Sequence, residues 1–192
     1  MENEKLYELA SLIFPDLTDE DTVEALEKRF PPRALPEGAK VTRMAPSPTG
    51  SMHLGNLYGA LADERVAHAG GNGVFMLRIE DTDDKREVPG AVEKILKYLG
   101  GFGLGFDEGA TADGDKGDYG PYRQRSRAKI YHIVARKLLL EGRAYPCFCT
   151  EEDLENAHKK QEAAKENFGY YGKYAIHRDM PIEDAIAHIR AG

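Results

Sequence analysis

Cysteine occurs only twice in the 192 residues, and no apolar run approaches the ~18 residues that cross a bilayer. Two cysteines cannot build a disulfide framework. They stand as Cys147-Phe148-Cys149, too close in an extended chain for an unstrained mutual bridge. That usage fits a reducing compartment, the cytoplasm. The opening MENEKLYELA has neither a basic segment nor an apolar one, so no secretory leader is expected. Internal repeats are lacking as well. What is present is a charged, globular composition: 41% hydrophobic, 31% charged, with 26 bases against 33 acids and a net charge of −7.

The acidity is local. Residues 1–38 hold 10 acids and 4 bases, and the remaining residues hold 23 and 22. Helical spacing is expected over 3–13 (Leu6, Leu9, Ala10, Ile13) and 19–30 (Val23, Leu26, Phe30), with Pro31 and Pro32 stopping the second helix. The stretch PPRALPEG, 31–38, reads as a linker without chemistry. These residues form a helical, acidic N-terminal extension in this reading.

Beyond it the pattern alternates. A strand is expected over Lys40–Ala45, a Pro/Gly loop over Pro46–Gly55, and a helix over Asn56–Ala69, with Leu57, Ala60, Leu61 and Val66 facing inward, ended by Gly70-Gly71. A second strand follows at Val74–Ile79 and a second helix at Pro89–Leu99. Strand, glycine loop, helix, strand, helix is the signature of a parallel α/β unit, whose ligands bind beyond the carboxyl ends of strands. Residues 100–120, with eight glycines and four aspartates, read as a long loop or an insertion boundary. A helix over 126–141, a strand over Ala144–Cys149, a helix capped by Thr150 and a short helix over Pro181–Arg190 complete the expectation.

Two polar clusters fall at strand ends. In the loop PSPTGSMHLGN, 46–56, His53 and Gly55 precede a helix. A helix N-terminus carries unpaired N–H groups and partial positive charge, which suits phosphate. His53 adds a donor, and the missing Cβ of Gly55 lets a flat base approach the backbone. In LRIEDTD, 77–83, three carboxylates and Arg78 crowd a strand end. A carboxylate there can take an amino acid's ammonium, and an arginine an acidic group. A third feature is basic. Arg123, Arg125, Arg127 and Lys129 lead a stretch in which Glu141 is the only acid between 121 and 143, a pattern suited to nucleic-acid phosphates.

Together these stretches resemble the glutamyl-tRNA synthetase family of class I aminoacyl-tRNA synthetases. The resemblance is carried by VTRMAPSPTGSMHLGN (41–56), FMLRIEDTD (75–83), Arg86, GFDEG (105–109), GPYRQ (120–124), IYH (130–132) and GRAYPCFCTEEDL (142–154), in the family's order. It implies an α/β fold: the nucleotide-binding half of a Rossmann-type catalytic domain over 39–110 and the start of an acceptor-stem-binding insertion over 111–192. His53 and Gly55 match the first and third positions of the HIGH signature and are the implied catalytic pair. Arg43, Ala45, Ser47 and Glu80 match the glutamate contacts, Arg43 at the side-chain carboxylate and Glu80 at the α-ammonium. Pro46, Thr49, Gly50, His53, Gly55 and Asn56 would face ATP. The implied activity is glutamate–tRNA ligation: ATP and Mg²⁺ activate L-glutamate, and the glutamyl group passes to the 3′ end of tRNA(Glu), in the cytoplasm and by a monomer.

The sequence departs from the family at three places. Asn56 fills the fourth HIGH position, and Tyr58-Gly59 stands where relatives have Arg-Thr. No KMSKS-like loop occurs, so the chain by itself is expected to be inactive in aminoacylation. Some relatives hold zinc through a C-x-C pair and two later ligands. Here Tyr174 stands at the third cysteine's place and His177 remains, so no metal is expected. Two other readings are a non-catalytic ATP- or tRNA-binding fragment and a paralogue that glutamylates a modified base of tRNA(Asp).

Overall fold

The computed structural model describes residues 2–50, 52–83, 85–86 and 88–192. Its elements are α1 (Glu2–Ile13), α2 (Val23–Arg29), β1 (Val41–Met44), α3 (Leu54–His68), β2 (Val74–Leu77), α4 (Ala91–Gly101), β3 (Glu108–Ala110), β4 (Asp115–Lys116), α5 (Ala128–Leu140), α6 (Glu151–Ala163) and α7 (Ile182–Ala191). None of the described helices is long and apolar enough to cross a membrane. Two compact units result: Glu24–Tyr131, and Met1–Val23 with His132–Gly192.

The unit Glu24–Tyr131 is built on one sheet of order β1-β2-β3-β4. β1, β2 and β3 run parallel, and β4 returns antiparallel. The register sets Arg43 opposite Met76 and Met44 opposite Leu77. Side chains alternate along a strand. Phe75, Leu77 and Ile79 therefore share one face, and all three are fully buried. Both crossovers advance in the same direction, so right-handed connection puts α3 and α4 on that same face. Ala60 and Ala67 of α3, with Ile95 and Leu99 of α4, indeed join Phe75, Leu77 and Ile79 in one core. The other face carries Arg43, Met76, Arg78 and Glu80.

The stretch 100–120 is more ordered than its glycines suggest. It holds β3 and β4, because Gly109 lets β3 lie against β2. A Cβ at Gly109 would sit 2.3 Å from the Leu77 carbonyl oxygen, and its φ of +140° disfavours any other residue. Asp107 fixes the strand's entry, accepting from the Phe75 N–H at 2.7 Å and meeting His68 Nε2 at 2.8 Å. GPYRQ extends the sheet beyond β2. Ile79 N–H donates to the Tyr122 carbonyl and accepts at its own carbonyl from Gln124 N–H, both at 2.9 Å.

PPRALPEG is not an idle linker. Arg33 makes a two-point ion pair with Glu108, Nη1 to Oε2 at 2.9 Å, and stacks on Tyr119 at 3.8 Å. Glu108 is 7% exposed, so Arg33 supplies the charge that lets it be buried. The sequence offered a lone arginine between prolines; its partner lies 75 residues away.

The second unit packs α1 on α7. Leu9 and Ala10 meet Ala185, Ile186 and Leu139 in its core. Arg190 pairs with Glu8 at 2.6 Å, and Lys5 pairs with Glu183. His132 Nδ1 lies 3.0 Å from Asp16, and Arg136 donates to the Thr18 carbonyl at 3.0 Å. The compact units thus divide the chain differently from the expected bounds at 38 and 110. The apolar face of α1 needs α7, whereas residues 30–33 belong with Glu108 and Tyr119. Thr150 caps α6 as expected, accepting from Asp153 N–H at 3.2 Å while its own N–H donates to the Asp153 carboxylate at 2.9 Å. The expected strand Ala144–Cys149 does not form. This segment has no ladder partner among the described residues, and Phe148 N–H donates instead to His177 Nδ1 at 3.3 Å.

Two measurements check these contacts. Arg33→Met leaves Glu108 buried without its cation and is expected to cost about 3 kcal/mol in urea unfolding. Hydrogen bonds to Asp107 and then Glu64 raise His68 above its ordinary 6.5. Burial pushes Asp107 up, but the Phe75 N–H and His68 outweigh it and hold it below 3.8. The raised His68 stabilises fully below about 6.5 and loses that contribution as pH rises through its folded value; Asp107 contributes above 3.8 and loses it below. The Tm deficit of His68→Ala is therefore expected to be largest between about pH 4 and 6.5 and to shrink above that window.

Candidate active site

The loop after β1 is tied at three points to the chain after β2. Arg78 N–H donates to the Met44 carbonyl at 2.9 Å, Glu80 N–H to Pro46 at 3.0 Å, and Val88 N–H to Pro48 at 2.9 Å. Pro48 is buried, Ala45, Pro46 and Thr49 are half-buried, and Ser47 and Gly50 are exposed. Two proline carbonyls act as acceptors here, which fits residues that lack an N–H of their own.

α3 begins at Leu54, two residues earlier than the pattern indicated. His53 is its extended N-cap, with φ −111° and ψ 169°. Its N–H donates to Asn56 Oδ1 at 3.1 Å, and its carbonyl accepts from Asn56 N–H at 2.9 Å. Asn56 is thus engaged in closing the helix start. Gly55 serves His53 first: a Cβ there would stand 3.0 Å from Cε1 and Nδ1 of the imidazole. The ring occupies the room that the missing side chain leaves over the helix end. His53 and Gly55 are both exposed, and the helix N-terminus stays open to an anion.

The three carboxylates of RIEDTD have different fates. Asp83 pairs with Arg86 at 2.6 Å, which holds its carboxyl below the usual range. Asp81 accepts from the Arg125 N–H at 2.9 Å. Glu80 is left on the face shared with Arg43, half-buried, its Oε1 3.3 Å from Arg78 Nε. Arg78 turns to Glu80 and to the Tyr131 hydroxyl.

Beside them lies a hollow of about 570 Å³, walled by Arg33, Arg43, Arg78 and Arg127 with Phe30, Met76, Tyr119 and Tyr122. Three of its four guanidiniums are engaged. Arg33 holds Glu108, Arg78 holds Glu80, and Arg127 donates to the Pro121 carbonyl at 2.8 Å. Arg43 makes no hydrogen bond or ion pair among the described residues. One cation on β1 and one carboxylate in the segment after β2, on one face, can take the two ends of a small acidic zwitterion. His53 does not line this hollow.

The basic stretch is spent largely within the protein. Arg123 donates to the carbonyls of Gly114 and Thr111, both at 3.1 Å, Arg125 holds Asp81, and Arg127 is engaged as above. Lys129 is exposed on the first turn of α5. The charge run alone could not reveal this, because the accepting carbonyls belong to turns around β3 and β4.

In the other unit, Cys147, Cys149 and His177 bring their donor atoms within 4.8 Å of one another. The Tyr170 hydroxyl lies 3.1 Å from Cys147 Sγ and 3.7 Å from Cys149 Sγ. Burial pushes the Cys147 thiol up, but hydrogen bonds with Tyr170, the Cys149 backbone and His177 bring it down to about 7. Tyr174, which stands at the expected third-cysteine position, points elsewhere and donates to Glu166 at 2.7 Å. Tyr170, which no motif in the sequence singles out, has its hydroxyl against both thiols. Cys147, Cys149 and His177 are the residues that could hold a metal, and two thiols and an imidazole suit zinc rather than a hard cation. A hollow of about 610 Å³ opens beside Cys149 and Tyr170.

Comparison with known proteins gives this geometry its relatives. Residues 40–186 match the family described as tRNA synthetases class I (E and Q), catalytic domain. Glutamate–tRNA ligase of Acetivibrio thermocellus is 56% identical over 186 residues, covering 94% of this chain and 33% of that protein. The ligase of Clostridium perfringens is 50% identical over 185 residues, with 96% and 33% covered. Among solved structures, a glutamate tRNA ligase from Elizabethkingia meningosepticum in complex with its amino acid aligns with a TM-score of 0.67 at 37% identity, covering 81% of this chain and 31% of that one. The chain spans about a third of the length of the curated relatives it matches. The alternating parallel unit, the family match over most of its residues and relatives at half identity or better all agree that the chain belongs to the class I tRNA synthetases of the E and Q type and carries part of their catalytic domain.

Proposed function

We propose that the protein carrying these residues is a glutamate–tRNA ligase, and that the Glu24–Tyr131 unit binds the amino acid and the nucleotide. The observation that carries the reading is the pairing of β1 with β2 that sets Arg43 opposite Met76, so that the hollow's uncommitted cation shares a face with Glu80. The names of the relatives supply glutamate and tRNA, and the resemblance to the class I family supplies tRNA(Glu) as the acceptor and ATP as the activating nucleotide.

Arg43 takes the side-chain carboxylate and Glu80 the α-ammonium, with Ala45 and Ser47 beside them. The α-carboxylate is thereby turned outward. Its oxygen attacks the α-phosphorus of ATP, the bond to the bridging oxygen breaks, and pyrophosphate leaves. The terminal adenosine 2′-hydroxyl of the tRNA then attacks the activated carbonyl and AMP departs. The protein contributes position and charge, with no covalent intermediate. Pro46, Thr49 and Gly50 line the approach, and the α3 N-terminus, with His53, Gly55 and Asn56, offers donors to the nucleotide. Magnesium binds oxygen donors and screens phosphate charge. The three-donor cluster among the described residues is sulfur and nitrogen, so no residue is assigned to Mg²⁺, which is treated as part of the ATP complex. The cytoplasm is the proposed compartment.

The test is glutamate-dependent ATP–pyrophosphate exchange by the full-length protein. Glu80→Ala is expected to lower kcat/KM for glutamate on the order of 100-fold, while Asp83→Ala, whose partner is Arg86, stays within about threefold. Equal losses would remove Glu80 from its role.

A further inference from the structure

Three side-chain polar atoms among the described residues of this unit are buried without a hydrogen bond, Oε2 of Glu64 and the Nε atoms of Arg78 and Arg127, and of these Nε of Arg78 faces Glu80. A buried unpaired N–H is costly, so it calls for an explanation. It sits 3.3 Å from Glu80 Oε1, a charge contact that does not meet the geometry of a hydrogen bond. The rest of the guanidinium is held from the opposite side. One terminal nitrogen donates to the Tyr131 hydroxyl, and the Tyr131 ring centroid lies 6.0 Å from Cζ. Tyr131 in turn donates to Gln124 Oε1 at 2.8 Å. Gln124 is itself fixed to the sheet through its N–H on the Ile79 carbonyl. A chain of contacts therefore runs Gln124, Tyr131, Arg78, Glu80, and its far end is bolted to Ile79, between Arg78 and Glu80 in the segment after β2.

A glutamate side chain that is partly exposed, as Glu80 is at 27%, has several rotamers, most of them facing solvent. A carboxylate that must meet one ammonium gains from being held in a single orientation beforehand. Arg78 can do this and leave the second oxygen, Oε2, for the ligand. It also has a second effect. Arg78 and Arg43 line the same hollow, and an unpaired Arg78 would offer a second cation to either carboxylate of a dicarboxylic amino acid. Pairing with Glu80 removes that competition.

We propose that Arg78 is a positioning residue for Glu80, and that Tyr131 holds Arg78 in place for that task. The proposal rests on the reading that Glu80 takes the α-ammonium, and it extends that reading to two residues that do not touch the substrate. Ligands with an ammonium should feel the loss of Arg78, and ligands without one should not.

The experiment uses the full-length protein, pyrophosphate exchange with L-glutamate, and inhibition by glutaric acid, which has both carboxylates and no ammonium. Arg78→Met is expected to raise KM for glutamate about tenfold, with kcat and KM for ATP within about twofold and the glutarate inhibition constant unchanged. Arg78→Lys, which keeps the charge and loses the fork, is expected to lie between wild type and Arg78→Met. Tyr131→Phe is expected to shift glutamate KM in the same direction by about threefold. Adding Arg78→Met to Glu80→Gln is expected to cost nothing further, because the two act as one unit. Parallel loss of glutamate, glutarate and ATP affinity would show a merely structural arginine and overturn the proposal. So would additive losses, or an unchanged glutamate KM. Should Arg78→Met fail to fold, Arg78→Lys and Tyr131→Phe carry the same comparison. If Glu80→Gln itself leaves glutamate KM unchanged, the assignment of Glu80 falls, and the proposal with it; if Glu80→Gln raises KM and the Arg78 and Tyr131 variants do not, only the proposal falls.

Discussion

Everything at the candidate site depends on how β1 lies against β2. With Arg43 opposite Met76, the odd positions of β2 enter the core and its even positions join Arg43 on the other face. A slip of one residue would send Arg43 to the side of Phe75 and Leu77, among the helices. The register is held by what surrounds it. Gly73 lets the end of α3 press on the start of β2, since a Cβ there would stand 1.9 Å from the Ala67 carbonyl oxygen. Gly109 admits β3 on the other side, and the carbonyls of Met44, Pro46 and Pro48 keep the following loop in step with residues 78–88.

Charge in the hollow follows the same logic. Four guanidiniums crowd one space, which would be unfavourable if all were uncommitted. Glu108, Glu80 and the Pro121 carbonyl each engage one, and Arg43 has no such partner among the described residues. The acidic chemistry of RIEDTD is thus divided: Glu80 meets Arg78, which lines the hollow, while Asp81 and Asp83 fasten their own neighbourhood. Arg33, from the segment before the family match begins at residue 40, belongs to the same arrangement.

Sequence alone revealed the periodic and the motif-bearing parts. The second strand, α3, α4 and the Thr150 cap follow local rules, and the structure has them with ends moved by a residue or two, although α3 buries Ala60 and Ala67 and leaves Leu61 and Val66, expected to face inward, exposed. The resemblance named the family that the comparisons bear out. What stayed illegible depends on distant partners. Arg33 looks like a linker residue until Glu108 is beside it. Arg123, Arg125 and Arg127 look like a phosphate-binding run until carbonyls and Asp81 meet them. Tyr170 is one tyrosine among several until the chain brings it to Cys147 and Cys149. Ala144–Cys149 has strand-like residues, yet a strand needs an edge to join.

In the proposed site Arg43 and Glu80 clasp opposite ends of one glutamate beside the α3 N-terminus. A crystal structure of the full-length protein with L-glutamate and a non-hydrolysable ATP analogue tests it directly. The side-chain carboxylate is expected within about 3 Å of the Arg43 guanidinium, the ammonium at the same distance from Glu80, and the nucleotide over His53 and Gly55. Glutamate bound with neither Arg43 nor Glu80 in contact, or with its two ends exchanged between them and other groups, would contradict it.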